Sequence, residues 1–205
     1  MKIIDISTDL LTAEVYPGDP EPRLHLINRM DCDDEYNLSA IYACLHTGTH
    51  ADAPSHVFDD EDTATVTDLP LSKFIGPVTV LDLPAGPITG QTVEQYFPRM
   101  ATKLILRSDG PIWFFGGAAE DVAGLEYDLI GFEGISIAQP ETEIDAHRAL
   151  LGAGTVLLEG LDLSSVGRAG EYFLFAPPVK MAGREASFVR AVLIEDRIMW
   201  SSHSY

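Results

Sequence analysis

The sequence has 205 residues, which is the length of one generous domain. Its composition is 46% hydrophobic and 22% charged, as in ordinary globular proteins, and no stretch reaches the roughly 18 consecutive apolar residues that a membrane helix needs. A formal net charge of −19 argues against nucleic acid as a partner, because phosphate backbones are bound by clustered Lys and Arg.

Short apolar runs and helical patterns predict a mixed α/β protein. In chain order the runs predict strands over Ile3–Ile6, Leu38–Leu45, Val78–Leu83, Leu104–Leu106, Gly134–Ile137, Val156–Leu158 and Val189–Ile194. Helices are predicted over Thr92–Pro98, Ala118–Glu126 and Glu141–Leu151. The alternation from about residue 77 to 160 is typical of α/β layers, whereas the first 75 residues are richer in strand and loop. We expect a single domain covering residues 1–205.

The first residues and the two cysteines give two further expectations, on cellular location and on disulfide bonds. The segment Met1–Ser7 contains an acid and lacks the apolar core of a cleavable signal, so we expect a cytoplasmic protein. Cys32 and Cys44 do not make a disulfide framework. Cys44 precedes a histidine by two residues, but a lone thiol in an apolar run is more often a small buried hydrophobe. We therefore leave it out of the candidate site.

Two acidic runs, Asp31–Glu35 and Asp59–Asp62, lie within the first 75 residues. Such runs are usually solvated loops, and we interpret both in this way. The second run follows closely after the histidine-rich segment described next. It is therefore also a candidate for the rim of a site entrance.

Metal-binding side chains are concentrated in the run His46-Thr47-Gly48-Thr49-His50-Ala51-Asp52-Ala53-Pro54-Ser55-His56. Three histidines and an aspartate in so short a segment are hard to explain as core packing. Imidazole and carboxylate together suit a borderline divalent ion such as Zn²⁺ or Mn²⁺. The segment therefore predicts a metal site.

Simple geometry restricts the backbone of this segment. A helix would place His46 and His50 on one face but would turn Asp52 about 200° further round. A straight strand would put all of them on one side but would separate the first histidine from the last by roughly 33 Å. We therefore predict a strand end that runs into a turning loop, with bends at Gly48 and Pro54.

The same run resembles the H-x-G-T-H-x-D-x-P-x-H signature of the metal-dependent cyclase family, which includes bacterial kynurenine formamidases and isatin hydrolases. Family landmarks recur in the same order over nearly the whole chain, at Asp5-Ile6-Ser7, Pro17-Gly18-Asp19, His147, Glu159-Gly160 and Arg190-Ala191-Val192-Leu193. The resemblance implies a mixed α/β domain of the swivelling β/α type, with a β-barrel-like core and flanking helices. It also implies a homo-oligomer, either a dimer or a tetramer.

The resemblance further implies one or two divalent ions, with zinc ahead of manganese. His46, His50 and Asp52 would bind one ion, and Asp52 would bridge to a second ion held by His147 and Glu159. His56 would stand beside the ions as general acid/base. The residues support the distal pair independently, because a carboxylate that ends the apolar run 155–158 needs a partner.

The implied reaction is hydrolysis of an amide or related acyl bond in a small molecule. Metal ions lower the pKa of bound water towards about 7 and polarise the carbonyl oxygen, while His56 would transfer the proton. The best-known family substrate is N-formylkynurenine, cleaved to kynurenine and formate, so arylformamidase activity is the first candidate.

Two substrate-contact candidates differ from the formamidase pattern. Tyr16 stands where formamidases typically have tryptophan, and Phe58 comes one position later than the usual aromatic residue. These differences leave a hydrolase of a cyclic amide such as isatin, or of another small amide or ester, as the alternative. A non-catalytic metal-binding protein is a third hypothesis. We disfavour it because all five candidate ligands and His56 are present.

Overall fold

The computed structural model describes residues 1–195. Within that range the chain forms thirteen strands and three α-helices. The strands are β1 (Lys2–Asp5), β2 (Arg23–Asn28), β3 (Leu38–Tyr42), β4 (His50–Asp52), β5 (Ile75–Asp82), β6 (Gly86–Ile88), β7 (Lys103–Arg107), β8 (Ile112–Phe114), β9 (Leu129–Phe132), β10 (Val156–Glu159), β11 (Gly170–Phe175), β12 (Ala186–Phe188) and β13 (Val192–Glu195). The helices are α1 (Gly90–Tyr96), α2 (Ala118–Ala123) and α3 (Glu143–Gly152).

Nine of the strands form one sheet in the order β1-β13-β11-β5-β7-β9-β10-β4-β12. The central strands β5, β7, β9 and β10 pair in parallel. The flanking strands pair antiparallel. The parallel centre comes from residues 75–159, where the sequence predicted α/β layers.

The sheet curls, so that its two flanks approach each other. Just beyond β1, Ser7 pairs with Leu161, and the N–H of Asp162 donates to the carbonyl oxygen of Ile6 at 3.0 Å. Leu161 and Asp162 directly follow β10, which lies near the opposite flank. The predicted mixed α/β fold with a barrel-like core is therefore confirmed, in the form of a curled sheet with few helices.

The core has two apolar layers because three of the four parallel strands, β7, β9 and β10, are buried on both faces. Ile105 and Leu158 point into the layer inside the curl, whereas Leu104, Leu106 and Leu157 point towards the helices. Strands buried on both faces are nearly continuous apolar runs, which is why the sequence identified β7 and β10. Helix α3 packs on the outer layer through its buried C-terminal half and so holds its other buried side chains close to β10.

The predicted strand over Gly134–Ile137 is wrong, because that segment is a bend and the strand is β9. The apolar pattern of β9 is interrupted by Gly131, which made the run hard to recognise. The glycine is required by packing: a Cβ there would lie 2.6 Å from Cδ1 of Ile105. Strands β2, β4, β6, β8, β11 and β12 also escaped prediction, and four of them have only three residues.

Strands β2 and β3 form a separate two-stranded sheet whose residues are nearly all exposed. Leu24 pairs with Ile41 across the strands, and Leu26 lies on the same face two residues further along β2. These three side chains are 47–50% exposed. Within residues 1–195, no helix is both long and apolar enough to cross a bilayer.

Candidate metal centre

The histidine-rich segment folds as a turn, a short strand and a 3-10 turn. Gly48 adopts a φ of 69°, the left-handed conformation that glycine tolerates. The strand that follows, β4, is completely buried, and Pro54 begins the 3-10 turn Pro54–His56. The bends lie at the two predicted residues, although the strand occupies the middle of the segment rather than its start.

Sheet register brings the segment against β10. Strand β4 lies between β10 and β12, and His50 is the direct cross-strand partner of Glu159. Their side chains approach to 3.6 Å between Nε2 of the histidine and Oε2 of the glutamate. A residue more than a hundred positions later is thus placed at the segment by backbone pairing alone.

Helix α3 supplies His147, which is buried at the base of the same cluster. Its Nε2 atom lies 3.4 Å from Oε1 of Glu159 and 3.8 Å from Oδ2 of Asp52. Asp52 has no exposed surface and is also approached by Nδ1 of His46 at 3.1 Å and Nε2 of His50 at 3.5 Å. The structure therefore brings all five predicted ligands together around one carboxylate.

The donor atoms of this cluster fit a divalent cation. Four buried atoms of the cluster have no hydrogen-bond partner among the described residues: Nε2 of His50, both carboxylate oxygens of Asp52 and Oε1 of Glu159. Buried carboxylate oxygens without partners are costly, and a cation would satisfy them. A mixed imidazole and carboxylate donor set is one that zinc and manganese accept.

Backbone carbonyl groups orient two of the histidines. Nδ1 of His50 lies 2.9 Å from the carbonyl oxygen of Gly48, and Nδ1 of His147 lies 2.8 Å from that of Glu143. Each carbonyl accepts the Nδ1–H bond, which leaves the Nε2 lone pair directed at the cluster. Both rings are thus held in the tautomer that a metal ligand requires.

The carboxylates dominate the electrostatics of the cluster. Burial by itself would lower the pKa of His50 and of His147, but the Asp52 and Glu159 carboxylates outweigh it and raise both values to about 9. Burial would raise the pKa of Asp52, yet His50, His46 and His56 hold it well below the ordinary value. The same negative charge that retains protons here attracts a cation.

His56 lies at the edge of the cluster. Its ring centroid is 4.3 Å from that of His46 and 5.4 Å from that of His147. One nitrogen of each of His56 and His46 and one Asp52 oxygen lie within 4.8 Å of one another, so this geometry also permits coordination. Burial, the largest effect, lowers the pKa of His56, which favours a neutral imidazole.

A cavity of about 290 Å³ opens beside the cluster and is lined by Tyr16, Asp19, Cys44, His46, His56, Ile135, Glu143, Ile144, His147 and Glu159. Tyr16 is therefore at the site, and so is Cys44, which the sequence argument left out. Phe58 lies instead in an adjoining cavity of about 390 Å³ that shares His56 and Ile144. The acidic loop Asp59–Asp62 is exposed as predicted, and Asp59 reaches that second cavity.

Sequence reasoning assigned no site role to three carboxylates near the site, which are Asp19, Glu143 and Glu185. Oε1 of Glu185 lies 3.9 Å from Nε2 of His46, and no local pattern in its loop indicates this. Glu143 lies on the cavity wall and precedes His147 by four residues on α3. Because residues i and i+4 share a helix face, the helical period was a signal that could have found it.

The chain is similar to known proteins over nearly its whole length. Residues 4–167 match the model of the Cyclase family, described as "Putative cyclase". A kynurenine formamidase of Salinibacter ruber is 34% identical over 94% of this chain and 97% of that protein. A solved structure described as a potential metal-dependent hydrolase with cyclase activity has a TM-score of 0.80 at 27% identity, covering 94% of this chain and 96% of its own. Isatin hydrolase A of Labrenzia aggregata, at 22% identity, shares the fold with a TM-score of 0.79 over 95% and 94% of the two chains.

Proposed function

The chain belongs to the Cyclase family, and on this basis we propose that it is a metal-dependent hydrolase that cleaves a C–N amide bond. The observation that carries the proposal is the convergence of His46, His50, His147 and Glu159 on the buried carboxylate of Asp52. The likeness to a kynurenine formamidase and to a metal-dependent hydrolase supports it.

We assign the ligand roles to these five residues and the proton transfer to His56. The bound cation would polarise the substrate carbonyl and activate water. The neutral imidazole of His56 accepts a proton from the attacking water and returns it to the departing amine nitrogen. One water is consumed and the C–N bond breaks. The amine leaves with the proton that His56 transfers, and the acid leaves as a carboxylate after releasing its own proton to solvent.

N-Formylkynurenine is the first substrate that we propose, with kynurenine and formate as products. The support is the 34% identity to a kynurenine formamidase over nearly the full length of both chains. The cavity size of about 290 Å³ is close to the lower end of the range for small-molecule sites, which suits a single substituted aromatic ring.

The test joins metal analysis to a hydrolysis assay. We expect the purified protein to carry a divalent metal and to release formate from N-formylkynurenine, whereas Asp52→Ala should lose both metal and activity. Retained activity in Asp52→Ala would refute the ligand assignment. Turnover of a cyclic amide such as isatin in place of the formamide would move the substrate to the lactam class, and bound metal without turnover of any amide, lactam or ester would favour a binding protein.

We propose zinc as the ion, ahead of manganese, because three imidazole groups in the cluster make it nitrogen-rich.

We also propose a homo-oligomer, supported by the exposed apolar face of Leu24, Leu26 and Ile41. An isolated two-stranded hairpin is marginally stable in water, so a second copy covering this face would stabilise it. A cytoplasmic location stays a prediction from the sequence.

A further inference from the structure

The turn Tyr16–Asp19 places two side chains together at the cavity beside the candidate metal centre. The N–H of Asp19 donates to the carbonyl oxygen of Tyr16 at 3.0 Å, and Gly18 between them has a φ of 103°. Proline followed by glycine at the centre of a turn suits this backbone. Tyr16 and Asp19 both line the cavity as a result.

Glu143 reaches the same wall from the first turn of α3. One carboxylate oxygen accepts a hydrogen bond from the Tyr16 hydroxyl at 2.6 Å, and the other accepts from the Ser136 hydroxyl. The Tyr16 hydrogen is therefore committed to Glu143, and this carboxylate raises the pKa of the phenol above its ordinary value. The phenolic oxygen is left to offer lone pairs to the cavity, where it can only accept hydrogen bonds.

Among residues 1–195, the wall has negative charge without a lysine or arginine to compensate it. No salt bridge from Lys or Arg reaches Asp19 or Glu143 among residues 1–195, and no Lys or Arg lines this cavity in that range. Arg148 lines the adjoining cavity instead.

We propose that Tyr16, Asp19 and Glu143 form an acidic wall that selects amide substrates carrying an ammonium group. This rests on the amide hydrolase activity proposed above. The ammonium group would donate to Asp19, Glu143 and the Tyr16 oxygen, while Ile135 and Ile144 offer apolar contact to an aromatic ring. The donor cluster around Asp52 would then face the scissile amide. A neutral substrate of equal size has no ammonium group to donate to this wall.

A matched pair of substrates tests the wall in the metal-loaded protein. We expect 3-(aminomethyl)formanilide to be hydrolysed with a higher kcat/KM than 3-ethylformanilide. Glu143→Gln removes the charge and keeps one acceptor oxygen, which retains one of the two hydroxyl hydrogen bonds. It should lower kcat/KM for the ammonium substrate on the order of 10- to 100-fold, mainly through KM, because hydrogen bonds to charged groups are the stronger ones. Asp19→Asn should act in the same direction.

The neutral substrate and an exposed acid provide the controls. Hydrolysis of 3-ethylformanilide should change less than about threefold in either variant, with metal content unchanged. Glu141→Gln, which removes an exposed charge just before α3, should leave both substrates unaffected. Equal hydrolysis of the two substrates by the original protein, or an equal loss for both in Glu143→Gln, would overturn the proposal.

Calorimetric binding of the two product anilines separates this proposal from the function on which it rests. A protein that hydrolyses neither formanilide would contradict the proposed arylformamidase activity. The wall would still be supported if 3-(aminomethyl)aniline bound more tightly than 3-ethylaniline and Glu143→Gln abolished the difference. Equal binding of the two anilines would overturn it.

Discussion

Gly160 packs against the carbonyl group of Gly48 so closely that a Cβ at position 160 would lie 2.4 Å from that oxygen. The same oxygen accepts the hydrogen bond that orients His50. The carbonyl of Gly160 in turn accepts from the hydroxyl groups of Thr49 and Thr8, at 2.6 and 2.8 Å. Two glycines thus connect the strand that ends at Glu159 to the segment that holds the histidines.

Gly160→Ala should therefore damage both stability and metal binding. The left-handed φ of 66° and the overlap with Gly48 together predict a loss of about 2–5 kcal/mol in the free energy of unfolding. Urea denaturation and metal analysis measure the two effects. Gly167→Ala is the matched control, because open space surrounds that position. Equal stability of the two variants would show that the contact is unimportant.

His56→Gln distinguishes a proton carrier from a metal ligand. If His56 only transfers the proton, kcat should fall by about 100- to 10,000-fold while the metal content stays at the original value. His50→Gln, which removes a buried nitrogen facing Asp52, should lose metal as well as activity. Parallel loss of metal in His56→Gln would instead make it a ligand, as its position near His46 permits.

Removal of the metal should lower thermal stability, because it leaves the Asp52 and Glu159 carboxylate oxygens buried without a cation. An ion present at a thousand times its Kd stabilises the native state by about 4 kcal/mol, which corresponds to a Tm shift on the order of 10 °C for a chain of this size. Thermal unfolding with and without a chelator measures the shift. Asp52→Asn is expected to show none, and a chelator effect of equal size in that variant would contradict the assignment.

Tyr127 makes the free energy of unfolding depend on pH in the alkaline range. Its buried ring raises the pKa of the hydroxyl to about 12, and the hydroxyl donates to the carbonyl oxygen of Pro98 at 2.8 Å. In the unfolded chain this tyrosine ionises near pH 10. The stability that its buried neutral hydroxyl contributes is therefore fully present below pH 10 and is lost as pH rises towards 12.

Tyr127→Phe should accordingly cost about 1 kcal/mol at pH 8, and this difference from the original protein should shrink by up to about 1.4 kcal/mol per pH unit above pH 10. Urea denaturation between pH 8 and 11 gives the comparison. Tyr96→Phe, at a partly exposed position, should change little at any pH. A constant difference across the range would rule out the linkage.

The exposed face of the β2–β3 hairpin predicts how copies associate. Leu24→Asp together with Ile41→Asp places two charges on directly paired positions and should reduce the mass in sedimentation experiments to that of the 22.3 kDa monomer. Met100→Asp, at a residue that is 94% exposed elsewhere, should leave the mass unchanged. An original protein that is already monomeric would refute the oligomer.

The sequence alone predicted the five candidate ligands and how the first segment must bend. The ligand types, their spacing and the bends at Gly48 and Pro54 follow from side-chain chemistry and from helix and strand periods, which act over a few residues. Strands β7 and β10 at the centre of the sheet were also predicted, because burial on both faces requires a continuous apolar run. The helix that carries His147 was recognised for the same local reasons.

Only the tertiary structure decided what these elements bring together. The pairing of His50 with Glu159 comes from the register of β4 against β10, and short strands such as β4 and β12 have too few residues for a pattern. The wall formed by Tyr16 and Glu143 joins a loop and a helix that are 127 positions apart. Such contacts depend on how the whole sheet curls and packs. The free energy of this packing is shared among residues that are far apart in the chain.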